Sequence, residues 1–416
     1  MTEPSRSLPR QMLAGAQMLF VAFGATVLVP ILTGLDPAMT LLGVGIGTLL
    51  FQWITARKVP IFLGSSFAFI GAIILSIKTY GLAATLPAMA ATSVMYFVLA
   101  IIVAKKGAAF VHKYVPPVVV GPVIMVIGLG LAAVAVNMAM GKSGDGAIEI
   151  VPYGTAMVVA AISLVTTMLV ATRAKGLMRV IPIMAGVVVG YLVSLALGLV
   201  DFSKVTQAVW LGMPAWPGWE FRWEAILVML PVAIAPAIEH VGDILAIGNV
   251  TGKDFAEDPG LHRTLAGDGA AVLVAGLLGA PPVTTYSEVT GAVMLTRNYD
   301  PKIMTWAAVF AIFLAFVAKI GAVLQTIPVP VMGGILLLLF GAIASVGMKT
   351  MIDAKVDLGA PRNLIIVSVT LVIGIGGLVV DGGGLSLKGV SLCGITAILL
   401  NLLLPREASA AAAAGK

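Results

Sequence analysis

Two glutamates stand inside apolar sequence in a chain that is short of acids. Glu239 lies in LPVAIAPAIEHVGDILAIG and Glu288 in AAVLVAGLLGAPPVTTYSEVTGAVML, and only 19 Asp and Glu occur among 416 residues. Both segments are long enough to reach the middle of a bilayer, where a charge is expensive and is kept for function. Carboxylates at that depth can hold a proton and accept N–H groups from a small polar solute. A lone intramembrane glutamate can also simply tie two helices together, so the surroundings decide. Asp243 follows Glu239 by four positions and shares its helical face. Two acids one turn apart in a low dielectric are suited to sharing a proton, which makes Asp243 a candidate in proton coupling. The alternative is a link to a Lys or Arg near the inner surface. His240 points about 100° around the helix from Glu239, toward either the cavity wall or a neighbouring span.

The elements that must carry these residues follow from composition. The chain is 60% hydrophobic and only 11% charged, with mean hydropathy +1.08, against about 25% charged in soluble domains. It reads as a polytopic membrane protein. The polar start MTEPSRSLPR before a full-length apolar run argues for a retained first helix, not a cleaved leader. Cys393 is alone and apolar in context, and the three histidines stand apart at 112, 240 and 262. No metal, nucleophile or cofactor constellation emerges, so an integral-membrane enzyme is disfavoured.

Spans need about 20 mostly apolar residues. Candidates are 12–33, 38–55, 61–76, 83–103, 116–137, 154–171, 180–200, 225–247, 264–280, 285–296, 303–321, 328–347, 362–380 and 387–404, fourteen in all. Nineteen of the 25 Lys and Arg then fall in connections on the N-terminal side and six on the other. The positive-inside rule therefore puts both termini in the cytoplasm. This placement accounts for the net charge of +6, without nucleic acid as a partner. Trp210, Trp216, Trp219 and Trp223 suit an interfacial belt. The tail 405–416 is low-complexity and is expected to be disordered.

Spans three and ten are short and resemble each other. Pro60 precedes Phe67 by seven residues and Pro281 precedes Glu288 by seven; Pro117 to Gly121 likewise echoes Pro330 to Gly334 in spans five and twelve. Both matches are seven spans apart, and an odd offset inverts the second copy in the membrane. The fold expected is thus an all-α polytopic membrane protein of 14 segments in a 7+7 inverted repeat, with short β-strands in segments 3 and 10. VPIFLG and PPVTTYS have the branched and aromatic content of strands, and pairing would satisfy backbone that lipid cannot. The following half-helices would aim free N–H groups at the cavity, from Ser66–Phe67 and Ser287–Glu288. A planar heterocycle with alternating N–H and C=O edges suits such a site. Phe67 and Phe340 could stack on its faces or serve only as packing.

At this point the sequence resembles the nucleobase–ascorbate transporter family, also called nucleobase:cation symporter 2, and within it the proton-coupled bacterial uracil carriers. The resemblance rests on Phe23 to Pro30, Gly64 to Phe69, Glu239 to Gly242, Asp258 to Arg263, Thr284 to Glu288 and Pro328 to Gly334. It implies a substrate-carrying core from residues 1–103 and 225–321, and a gate from 104–224 and 322–404 that makes a homodimer contact. It further implies that Glu239 and Glu288 hold the base, with backbone around Tyr286 and Ser287, flanked by Phe67. Alternating access of core against gate would move the base, with the proton as coupling ion, across the bacterial cytoplasmic membrane. This chain departs from the uracil pattern at Asp243 (usually His), Ser287 (Gly), Val289 (Asn) and Phe340 (Tyr), and has Gln17-Met18 where a Gln-His pair is common. It also lacks the Gln-Asn pair of the purine branch, so uracil leads xanthine as the expected substrate. An ion channel is the rival from another class; isolated carboxylates and the missing carbonyl-filter motif count against it.

Overall fold

The computed structural model describes residues 8–107, 113–214, 216, 218–382 and 385–405. His112 lies outside them, as does the tail beyond Pro405. In chain order the elements begin with α1 Leu8–Thr33, α2 Pro37–Ile54, β1 Leu63–Ser65, a 3₁₀ turn Phe67–Phe69, α3 Ile70–Tyr80, α4 Leu82–Ala91 and α5 Ser93–Lys106. Next come α6 Pro117–Leu129, α7 Ala132–Ala139, α8 Tyr153–Arg173, α9 Pro182–Ala196, α10 Trp223–Met229, α11 Ile234–Thr251 and α12 Leu261–Leu278. The chain continues through β2 Val283–Thr285, α13 Ser287–Thr296, α14 Lys302–Ala315, α15 Ala318–Leu324, α16 Val329–Asp353, α17 Pro361–Ile375, β3 Val379–Gly382, β4 Leu385–Lys388 and α18 Gly389–Leu403.

Among the described residues seven helical stretches are long and apolar enough to cross a membrane, and an eighth results if α14 and α15, bent by 87°, count as one. Four shorter apolar helices accompany them, Phe67–Tyr80, Pro182–Ala196, Pro361–Ile375 and Gly389–Leu403. Breaks occur where sequence cannot continue a helix. Asp36 caps α2 through the Ala38 N–H at 2.8 Å, with Pro37 at the first helical position. The run expected as one span over 225–247 turns 3₁₀ at Leu230–Ala233, where Pro231 removes a backbone donor.

The helices pack in two groups. α12 lies on α2 and α5, and α14 on α1 and α2, while α16 lies on α6, α7 and α8, and α17 on α6 and α18. The connection between α9 and α10 is tied down by polar contacts as well as by its aromatic rings. Indole N–H groups of Trp216 and Trp219 both donate to the Leu277 carbonyl, at 3.3 and 3.1 Å, and Lys319 sits 5.2 Å above the Trp210 ring.

Two small antiparallel ladders interrupt the helices. β1 pairs with β2, Leu63 opposite Thr285, Gly64 opposite Thr284 and Ser65 opposite Val283. β3 pairs with β4 between Val379–Gly382 and Leu385–Lys388 and packs against α10. This second ladder occupies what reads in sequence as the ends of two apolar runs, because the same branched residues suit both settings.

Candidate functional site

The site is built on the β1–β2 ladder. Extended backbone in a membrane must find partners within the protein, and here side chains supply them. Gln52 Nε2 donates to the carbonyls of Val59 and Ile61 at 2.8 and 3.2 Å. Thr48 Oγ1 accepts the Leu63 N–H at 3.1 Å. Ser65 Oγ donates to the Thr26 carbonyl at 2.7 Å, and the Tyr286 hydroxyl donates to the Ser65 carbonyl at 2.8 Å. Gly64 is required by this arrangement, since a Cβ there would lie 2.3 Å from the Tyr286 ring.

The ladder delivers each strand into a half-helix. α13 starts with no side-chain cap at Ser287 and Glu288, both of which line the cavity, so the positive end of its dipole lies at the cavity. The Ser66 N–H behaves differently: the Pro282 carbonyl takes it at 2.9 Å, so it is not free to donate to a ring carbonyl. Its hydroxyl is buried without a hydrogen-bond partner.

A cavity of about 290 Å³ opens where the half-helices meet. Glu239, Glu288, Phe67, Tyr286 and Ser287 line it, joined by Ser65, Thr284 and Thr285. Opposite stands an aliphatic wall, Ile124 and Ile127 from α6 with Leu339, Ala342, Ile343 and Val346 from α16. Phe340 does not line the cavity; it is buried behind Phe67, ring centroids 6.2 Å apart and planes at 82°.

Asp243 and His240 do not line the cavity either. Asp243 is buried and accepts from Thr285 Oγ1 at 2.7 Å and from Ser287 Oγ at 2.6 Å. The alternative of a Lys or Arg partner is not what this carboxylate adopts. His240 turns away from the cavity toward Asp268, with Nδ1 and Oδ2 3.1 Å apart, both side chains wholly buried and out of line for a directed hydrogen bond. Sequence reasoning missed Asp268, although an acid inside the apolar helix LHRTLAGDGAAVLVAGLL meets the same criterion that singled out Glu239. Among the described residues, no three His, Cys, Asp or Glu side chains gather as a metal site.

Long apolar helices surrounding two interrupted ones, with a carboxylate-lined cavity between, define a polytopic membrane transport protein. The fold is similar to the transmembrane domain of a cyanobacterium bicarbonate transporter, BicA, with TM-score 0.67 and 15% identity over 96% of this chain and 98% of that one. The family described as "Permease family" matches residues 9–383, and the chain belongs to it, within the nucleobase:cation symporter 2 group. A probable uracil permease of Haemophilus influenzae is 56% identical over 402 residues, covering 97% of this chain and 96% of that protein. Another, of Pasteurella multocida, is 57% identical over 397 residues, covering 95% and 94%. The protein is thus a multi-pass permease of the bacterial inner membrane type.

Proposed function

We propose that this permease takes up uracil together with a proton across the cytoplasmic membrane by alternating access. The observation that carries the reading is the single cavity beside the β1–β2 ladder that Glu239 and Glu288 both line. Two carboxylates and the open start of α13 offer acceptors for ring N–H groups and donors for ring carbonyls. Phe67 supplies one apolar face. Hydrogen bonds to charged groups are worth about 1.5–3 kcal/mol each, enough for two of them to account for selective capture of a neutral ring. The relatives named as probable uracil permeases span nearly the whole chain and support uracil as the base.

Glu239 and Asp243 take the proton in this reading, with His240 and its partner Asp268 behind them. The two helix groups are the moving core, residues 1–103 and 225–321, and the gate, 104–224 and 322–404, which makes the homodimer contact. Fourteen crossings result if the bent pair α14–α15, the four shorter apolar helices, α12 and α13 each count as one beside the seven long stretches, and the antiparallel β1–β2 pairing supports an inverted 7+7 repeat. Both termini are cytoplasmic, in keeping with the bias of Lys and Arg between alternate connections.

Reconstitution in liposomes tests the reading. Labelled uracil should accumulate when an inward proton gradient is imposed, and excess unlabelled uracil should compete better than thymine, xanthine, urate or cytosine. Gradient-independent flux, or stronger competition by xanthine, would overturn it.

A further inference from the structure

The cavity is divided in polarity by element. All its polar side chains come from β1, α11, β2, α13 and Tyr286 between the last two, whereas α6 and α16 contribute only aliphatic ones. On α16 these are Leu339, Ala342, Ile343 and Val346, spaced i, i+3, i+4, i+7 and therefore on one helical face. Phe340 is buried off that face, and a side chain at Gly341 would meet open space.

Uracil is divided in the same way. N1–H, C2=O, N3–H and C4=O are consecutive, which leaves C5–H and C6–H as one apolar edge. Buried donors and acceptors need partners, so the polar edge must face the carboxylates and the C5–C6 edge must face α16. This step rests on the reading of the site as a uracil site.

We propose that the α16 face is the specificity wall for position 5 of the pyrimidine, and that Ala342, its smallest member, sets the size of the substituent admitted. A purine dione carries its imidazole ring fused at that same edge. Its N7–H would be pressed against aliphatic carbon with no acceptor, and a buried unpaired donor is costly. The wall therefore discriminates against purines by desolvation as well as by bulk.

The test is displacement of labelled uracil from purified protein by uracil, 5-bromouracil and thymine, in wild type, Ala342→Leu, Ala342→Gly and Gly341→Leu. Ala342→Leu should hold uracil within about threefold while weakening the 5-substituted bases by about tenfold or more, since a methylene-sized change in an apolar pocket is worth about 10–200-fold. Ala342→Gly should move the thymine-to-uracil ratio the other way, and Gly341→Leu should leave it unchanged. A ratio equal in all four proteins, or shifted as far by Gly341→Leu as by Ala342→Leu, overturns the wall while leaving uracil transport intact. Failure of wild type to bind uracil overturns both.

Discussion

The hydroxyl of Ser287 donates to Oδ1 of Asp243 at 2.6 Å. Thr285 donates to the other oxygen at 2.7 Å, so one carboxylate grips the residues on both sides of Tyr286. Asp243 thereby fixes the turn from β2 into α13, the turn that sets where Glu288 projects. Charge-assisted bonds of this kind are worth about 1.5–3 kcal/mol, and neighbours in one network do not act additively.

Asp243→Ala and Ser287→Ala should therefore be coupled. Each single change is expected to weaken uracil binding about tenfold, and the double change to cost little more than Asp243→Ala alone. Equilibrium binding to the four proteins of the cycle measures this, and strictly additive losses would separate Ser287 from the carboxylate. Asp243→Asn should bind within about tenfold of wild type while losing most gradient-driven accumulation.

Glu239→Gln and Glu288→Gln keep shape and remove charge. Each should lower uptake by about 10–150-fold, matching one charge-assisted hydrogen bond, with the protein still in the membrane and monodisperse after extraction. Uptake at the wild-type rate in either variant removes that residue from the mechanism.

Gly64→Ala puts a methyl group into the space of the Tyr286 ring. The ring must leave the Ser65 carbonyl or the ladder must part, at a cost of about 1–3 kcal/mol. A lowered melting temperature in detergent and lost binding are expected together; unaltered melting would mean the ring has room to move.

Gln52→Leu tests the support of the site from a distance. Leucine fills the space but removes the amide that the Val59 and Ile61 carbonyls share; Val59 keeps the Ile61 N–H at 3.0 Å, so the loss falls on the Ile61 carbonyl, about 1–3 kcal/mol. Thermal melting should fall as far as for Gly64→Ala although Gln52 does not line the cavity. A variant with unchanged stability and uptake would show that the extended segment needs no such partner.

One carboxylate outside the membrane should not shape the pH response. The Ser143 hydroxyl, followed by Lys78 and the Ala147 N–H, holds the Asp145 carboxyl well below the usual range. Such a group stabilises above its unfolded pKa near 4 and loses that contribution only as pH falls through the lower, folded value. From about pH 5 to 8 it stays ionised, so Asp145→Asn should leave the uptake–pH profile where it is. A displaced profile would implicate this loop in coupling.

The two carboxylates that line the cavity were legible in sequence because Glu239 and Glu288 stand among aliphatic neighbours, where only function or pairing retains an acid. The extended segments were legible because Pro60 and Pro281 bar helix and branched residues follow; the strands proper are shorter, three residues each. What sequence could not supply was partnership across the fold. Asp268 meets His240 only once α12 packs beside α11, and the loss of the Ser66 N–H to Pro282 depends on a register that exists only after the strands pair. The β3–β4 hairpin was hidden because Val379, Val380 and Leu387 extend apolar runs that length alone cannot divide. The aliphatic face of α16 follows helical spacing, but nothing in spacing says which face meets a ligand.

The three-residue ladder constrains how this chain can change over evolutionary time. Neighbouring positions on a strand look in opposite directions, so adding or deleting a single residue in either strand would exchange inner for outer side chains along it. Between Pro60 and Phe67, and between Pro281 and Glu288, letters other than Gly64, Thr285, Tyr286 and Ser287 can be replaced, but the number of letters is fixed. Descendants with altered taste in solutes should differ by replacement in these stretches and never by a change of length.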